Sequence, residues 1–135
     1  MNMNIKHVTK ENEALELMSA LIPMARKERV PVKITKSPVE YWIAFVDGKV
    51  VGFQGATIQS STVARLKTTF VHPNYRGSGI FDKLFKEALE SLTERGIKTF
   101  TGFFTPMSYP TGIRYGFKER SIKEGSDIVF AVKEI

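Results

Sequence analysis

The period of apolar and polar positions changes several times along the chain, and each change marks an element. Asn4–Val8 alternates weakly and predicts a first strand. Thr9 is then placed to cap a helix whose apolar residues Leu15, Met18, Leu21 and Ile22 recur at helical spacing. Pro23 is expected to bend or end that helix, with a further short turn over Met24–Arg29. Pro31 and Pro38 bracket Val32–Thr35, which reads as irregular or as an edge segment. From Glu40 the pattern becomes that of strands. Tyr41–Val46 and Lys49–Ile58 are rich in β-branched and aromatic residues and meet at Asp47-Gly48, a pair that tolerates the positive φ of a tight hairpin. Gly52 and Gly55 inside the second of these point to a bulge or a close backbone approach. After the polar turn Gln59–Thr62, Val63–Val71 completes three consecutive antiparallel strands.

His72–Gly79 breaks the pattern with a proline and two glycines. Ile80–Glu94 is an amphipathic helix whose apolar face includes Phe81, Leu84, Phe85, Ala88 and Leu92, and Gly96 ends it. Ile97–Phe104 reads as a buried strand, Thr105–Tyr115 as a turn plus a short helix, and Phe117–Ile122 with Ile128–Val132 as a closing pair. The order β-α-α-βββ-α-β-α-ββ describes a mixed α/β domain, and no repeat, low-complexity tract or linker divides residues 1–135.

Composition narrows the classes. With 135 residues and 42% hydrophobic content, the chain fits one domain with a genuine core. It holds no cysteine, which excludes disulfides, thiolate metal sites and cysteine nucleophiles; no metal site is expected. Met1-Asn2-Met3-Asn4 lacks the regions of a signal peptide, and runs such as Tyr41–Val46 are too short to cross a bilayer. A soluble, cytoplasmic protein without membrane partners is the expectation. The net charge of +6 favours anionic partners. Its residues are scattered, with mild clusters at Arg26–Arg29 and Lys118–Lys123, so a solvated basic surface is at least as good a reading as a nucleic-acid footprint.

The chemistry concentrates in Val71-His72-Pro73-Asn74-Tyr75-Arg76-Gly77-Ser78-Gly79-Ile80-Phe81, which runs from a strand through a glycine turn into a long helix. The first N–H groups of a helix have no intrahelical partner, and the dipole adds positive charge, which makes an anion site suited to a pyrophosphate. Gly77 and Gly79 let the backbone approach phosphates, and Arg76 adds a full charge. Taken alone, the two glycines serve a tight strand-to-helix turn equally well. The Walker A pattern is excluded by Gly79-Ile80-Phe81, and the dinucleotide fingerprint by Asp82 at its third glycine.

In this setting the sequence resembles the GNAT superfamily, the Gcn5-related N-acetyltransferases. Val71-His72-Pro73 followed by Arg76-Gly77-Ser78-Gly79-Ile80 matches the family's Val-x-Pro and Arg/Gln-x-x-Gly-x-Gly/Ala in order and spacing, and Gly116-Phe117 matches its late Gly-Phe pair. The resemblance implies a central, twisted, mostly antiparallel sheet of about six to seven strands flanked by helices. It implies acetyl-CoA as acyl donor, held by Val71, Arg76, Gly77, Ser78, Gly79, Ile80 and Phe81, with Val71 backbone groups pairing with the pantetheine arm like an added strand. It also implies transfer to a primary amine of a small molecule or a protein, and allows a homodimer.

Two positions depart from the family pattern. Phe81 stands where Gly or Ala is usual and is expected to turn inward beside Phe85, which shares its helix face. Counting back from Gly116-Phe117, the usual general-acid tyrosine is replaced by Gly112, and Thr105 and Ser108 replace the usual Asn and Ala. Tyr109 and Tyr115 lie close by as candidate substitutes with Ser108, although plain packing serves either tyrosine as well. For the base, Val63–Val71 offers no carboxylate, only Arg65, Lys67, Thr68 and Thr69 among its polar residues. Glu40 and His72 remain, and the sequence does not choose between them. Lys33, Lys36, Arg65, Lys67 and Arg114 either border the acceptor cleft, contact the 3′-phosphate or are solvated charge, and Trp42 is core or platform. Two rival readings keep the fold: a phage-type DNA-base-modifying enzyme, for which nucleic acid is the partner, and a catalytically degenerate binding module.

Overall fold

The computed structural model describes residues 2–32 and 37–135, so most of the Val32–Thr35 segment and the candidates Lys33 and Lys36 lie outside the described residues. Strands β1 (Met3–Val8), β2 (Val39–Val46), β3 (Lys49–Ile58), β4 (Val63–Val71), β5 (Thr99–Phe104), β6 (Lys118–Ile122) and β7 (Val129–Glu134) form one seven-stranded sheet in the order β1-β2-β3-β4-β5-β7-β6. Among the described residues four α-helices accompany it: α1 (Glu11–Leu17), α2 (Ile22–Lys27), α3 (Ile80–Glu94) and α4 (Tyr109–Arg114). Neighbouring strands are antiparallel except β4 and β5, which run parallel and therefore need the crossover that α3 supplies. The element order is the one the sequence pattern predicts. No helix among the described residues is long and apolar enough to cross a membrane.

Alternation along the strands builds a core on each face of the sheet. Tyr41 and Ile43 of β2 join Phe53 and Phe70 against Ala14, Met18 and Ala25 of the α1–α2 segment. Trp42 and Ala44 point the other way, to the layer where Leu84, Phe85 and Leu92 of α3 pack with Phe100, Phe104 and Phe117. The hairpin at Asp47-Gly48 has φ of +48° and +83°, the left-handed pair that a twisted two-residue turn requires.

Two local expectations are corrected. Lys10, not Thr9, occupies the N-cap of α1, and no side chain caps it. Pro23 does not end a helix; it lies in the first turn of α2, where a missing N–H removes no helix bond, and the break comes before it over residues 18–21. The glycines of β3 mark both a bulge and close approach. Val51 is the extra residue between the Ala44–Gly52 and Phe45–Val50 pairs, and a Cβ on Gly55 would lie 2.9 Å from the Lys67 carbonyl oxygen.

Candidate active site

β4 and β5 pair from Val63 and Thr99 to Leu66 and Gly102, and beyond that point they part. The cause lies in β4. Gln54 opposes Thr69 and Gly55 opposes Lys67, so Thr68, with φ +61°, is an extra residue. Such a bulge bends the strand that carries it. The parted strands open a cleft of about 860 Å³, walled by Leu66–Val71, the end of β5, the start of α3 and residues 28–31 after α2. Gln54, 1% exposed, clamps the bulge. Its Nε2 donates to the Gly55 and Lys67 carbonyls at 2.8 and 3.2 Å, and its Oε1 accepts the Thr69 hydroxyl at 2.6 Å. Both amide hydrogens go to carbonyls, so Thr69 must be the donor in the third bond. Its hydroxyl therefore offers lone pairs, not a proton, to the cleft it lines.

The glycine turn forms one end of this cleft. The His72 N–H bonds to the Val51 carbonyl at 2.8 Å, so strand alternation turns the Val71 N–H and C=O toward the cleft. Arg76 takes that carbonyl with Nε at 2.9 Å, leaving the Val71 N–H at the wall. The same guanidinium reaches Glu28 at 2.6 Å and lies over the Phe70 ring at 5.4 Å. Gly77 and Gly79 have φ of +84° and +83°, and a Cβ on either would meet nothing within 4 Å. The turn is thus left-handed backbone facing open space, with Gly79 as the N-cap of α3 and Ile80 buried behind it. Phe81 does turn inward, stacking on Phe85 at 6.4 Å and 9°, while one part of it lines the cleft. Ser78 does not line the cleft; its hydroxyl donates back to the Tyr75 carbonyl and ties the turn.

Of the four catalytic candidates, Ser108 lines the cleft and His72, Tyr109 and Tyr115 do not. His72 caps a short 3-10 turn, Pro73–Tyr75, by accepting the Asn74 N–H on Nδ1 at 3.0 Å. Tyr109 packs on Phe104 at 5.8 Å between ring centroids. The Tyr115 hydroxyl donates to Asp82 at 2.7 Å, and that bond, helped by burial, raises its pKa. Arg114, at 2.8 Å, and then Tyr115 hold Asp82 below the usual carboxylate range. Gly112 explains the missing tyrosine. A Cβ there would come within 2.9 Å of the Phe104 ring, as would one on Gly102, so Phe104 fills the space beside both. Glu40 is also outside the cleft. Burial pushes its carboxyl up, but bonds from Arg95 and His7, at 2.7 and 2.8 Å, outweigh that and leave it below its ordinary value. Trp42 is core, 1% exposed and stacked on His7 at 4.3 Å.

Sequence reasoning missed Gln54, Glu28 and Asp82. Gln54 carried a signal, as the one polar side chain in the apolar run Val50–Ala56. Glu28 and Asp82 find their partners 48 and 32 residues away, and nothing local announces either.

Residues 10–107 match the sequence pattern of the family described as the Acetyltransferase (GNAT) family. An uncharacterized N-acetyltransferase of Methanocaldococcus jannaschii is 29% identical over 94 residues, which span 63% of this chain and 42% of that protein. The PaiA N-acetyltransferase of Thermoplasma acidophilum, solved in complex with coenzyme A, superposes with a TM-score of 0.78 at 16% identity, covering 100% of both chains. Escherichia coli ElaA superposes with a TM-score of 0.79 at 11% identity, covering 98% of this chain and 100% of that one.

Proposed function

The chain belongs to the GNAT acetyltransferase family, and on that premise we propose that it transfers an acetyl group from acetyl-CoA to a primary amine. The observation that carries this is the pair of left-handed glycines at the N-terminus of α3, opening onto a cleft between parted parallel strands. Gly77, Gly79 and the first N–H groups of α3 would hold the pyrophosphate, with Arg76 beside them. The Val71 N–H, at the free edge of β4, would bond the pantetheine arm or polarise the thioester carbonyl.

Acetyl-CoA supplies an activated acyl group; this chain supplies position, which can account for about 7–11 kcal/mol of a barrier. The amine nitrogen forms a C–N bond to the carbonyl carbon, the C–S bond breaks, and the electron pair leaves on sulfur. The nitrogen gives up a proton and the sulfur gains one. Both acids that line the cleft are engaged, Glu28 by Arg76 and Asp82 by Arg114 and Tyr115. Thr69 therefore accepts the amine N–H, and water carries the proton away. A thiol pKa of about 8.5 lets the thiolate leave with solvation alone, and Ser108, whose hydroxyl lies 3.0 Å from that of Thr105, is one of several hydroxyl residues lining the cleft.

The ring of Phe104 beside Gly112 favours a second reading, a non-catalytic module that binds acyl-CoA. Calorimetric titration with acetyl-CoA, for wild type and Gly79→Glu, followed by free-thiol release with an amine panel, tests both. Micromolar binding abolished by the substitution supports the site, and thiol release supports the enzyme. No binding at millimolar acetyl-CoA sinks both readings.

A further inference from the structure

We infer, resting on the acetyl-transfer reading above, that the ring of Phe104 limits the acyl group the cleft accepts, admitting acetyl and turning away butyryl and longer chains. The direction of the donor comes first. The glycine turn follows Val71, at one end of the wall that β4 gives the cleft, and at the other end β4 meets β5 at the Leu66–Gly102 pair. A donor held at Gly77 and Gly79, with its arm along the free edge of β4, points its acyl group toward that pair. What stands beside the pair therefore decides how long the acyl chain can be.

Phe104 stands there. It follows Gly102 by two residues, on the same face of β5, and its ring folds back over that glycine. A Cβ on Gly102 would lie 2.9 and 3.1 Å from Cε2 and Cζ of the ring and 3.7 Å from the Leu66 carbonyl oxygen, so the ring sits beside the last rung between the two strands. On its other edge a Cβ on Gly112 would lie 2.9 Å from Cε1 and 3.0 Å from Cζ, so α4 closes over it. Around it Phe85, Tyr109 and Phe117 lie at 6.2, 5.8 and 5.1 Å between ring centroids. Phe85 and Phe117 are themselves buried, so the ring has no space into which to retreat. Leu66 and Phe104 both line the cleft yet are 4% and 5% exposed, so the cleft narrows to an apolar closed end between them. A single methyl suits such an end. Two further methylenes must either displace a close-packed ring or turn back toward the mouth, into the space an acceptor needs.

The test is calorimetric titration with coenzyme A, acetyl-CoA and butyryl-CoA, which needs no acceptor. Butyryl-CoA should bind about tenfold or more weakly than acetyl-CoA, the lower end of the discrimination an apolar pocket makes on a methylene. Butyryl-CoA binding within about threefold of acetyl-CoA, or tighter, overturns the inference. Phe104→Ala empties a packed position and is expected to unfold the chain, so Phe104→Leu is the variant to use. It should move the acetyl-to-butyryl ratio toward butyryl by about threefold or more, a comparison made within one protein and so independent of its stability. Trp42→Phe, a core change outside the cleft, should leave the ratio where it is. A wild-type ratio in Phe104→Leu, or an equal shift in Trp42→Phe, also overturns it. Should Phe104→Leu fail to fold, the wild-type pair of titrations still decides. Binding of coenzyme A without discrimination between the acyl groups removes this inference and leaves the donor reading standing, whereas failure of all three to bind removes both.

Discussion

Replacing Gln54 by leucine tests whether one buried amide holds the cleft open. The substitution keeps the volume and removes three bonds: Nε2 to the Gly55 and Lys67 carbonyls, and the Thr69 hydroxyl to Oε1. A net hydrogen bond contributes about 0.5–1.5 kcal/mol, and a buried carbonyl left without a partner costs about 1–3 kcal/mol. Added apolar burial returns roughly 1 kcal/mol, so the expected loss is about 2–4 kcal/mol. With a urea m-value of about 2 kcal/mol/M, the unfolding midpoint should fall by about 1–2 M. Thr69→Val removes a single bond at a half-buried position and should cost about 1 kcal/mol. The two variants separate in kinetics. Thr69→Val should lower kcat/KM for the amine at least tenfold with acetyl-CoA affinity unchanged, and Thr69→Ser should restore most of it. The assay pairs urea unfolding followed by circular dichroism with thiol release and a double-mutant cycle. A Gln54→Leu protein within about 0.5 kcal/mol of wild type would refute the clamp. Full activity in Thr69→Val would refute the role given to its lone pairs.

Gly79→Ala places a side chain at φ +83°, so about 1 kcal/mol of strain and a markedly weaker acetyl-CoA titration are expected; unchanged affinity would take the pyrophosphate off this turn. Glu28→Gln frees Arg76 from an exposed ion pair and should tighten acetyl-CoA binding by up to about fivefold in calorimetry. Gly112→Ala drives a Cβ into the Phe104 ring and should destabilise by about 1–3 kcal/mol, with Phe104→Leu in the same chain recovering most of that in urea unfolding. Glu40 has a folded pKa below its ordinary 4.5, so its contribution to stability is complete above that pH and is lost as pH falls through the folded value. Glu40→Gln should therefore melt lower than wild type near pH 7, with the two melting temperatures converging as the pH falls below 4.5 and through the folded pKa.

The fold was legible because its signals are local. Strand alternation, the Asp47-Gly48 turn and the apolar face of Ile80–Glu94 each lie within one short window, and their order fixes the class. The backbone of the glycine turn was legible for the same reason: Gly77 and Gly79 need φ values that only glycine adopts easily, so the sequence carries the geometry directly. Pro23 was misread because the same residue is excluded from a helix interior and favoured in a first turn, and the apolar spacing did not show where the helix restarts. Of the far wall of the cleft only Ser108 was legible. Tyr109 and Tyr115 lie near the expected position in sequence, but their direction is set by α4, which turns one ring onto Phe104 and the other hydroxyl onto Asp82.

That wall also shows why a missing catalytic residue need not mean a vacant site. Gly102 and Gly112 come from different elements, and each sits where a Cβ would be within 2.9 Å of one ring. Phe104 can stand between β5 and α4 only if both positions are bare, so the loss of a tyrosine at 112 and the presence of Phe104 are one structural choice. The ring shapes this part of the cleft wall and leaves no phenol at position 112, although Tyr75 lines the cleft elsewhere. On the proposed reading, catalysis would rest on position, on the Val71 N–H and on Thr69, all of which lie at or beside the bulge at Thr68. The bulge depends in turn on Gln54, whose two donors meet the carbonyls of Gly55 and Lys67. A polar residue in the apolar run of β3 thus stands behind both the opening of the sheet and the orientation of the hydroxyl inside it.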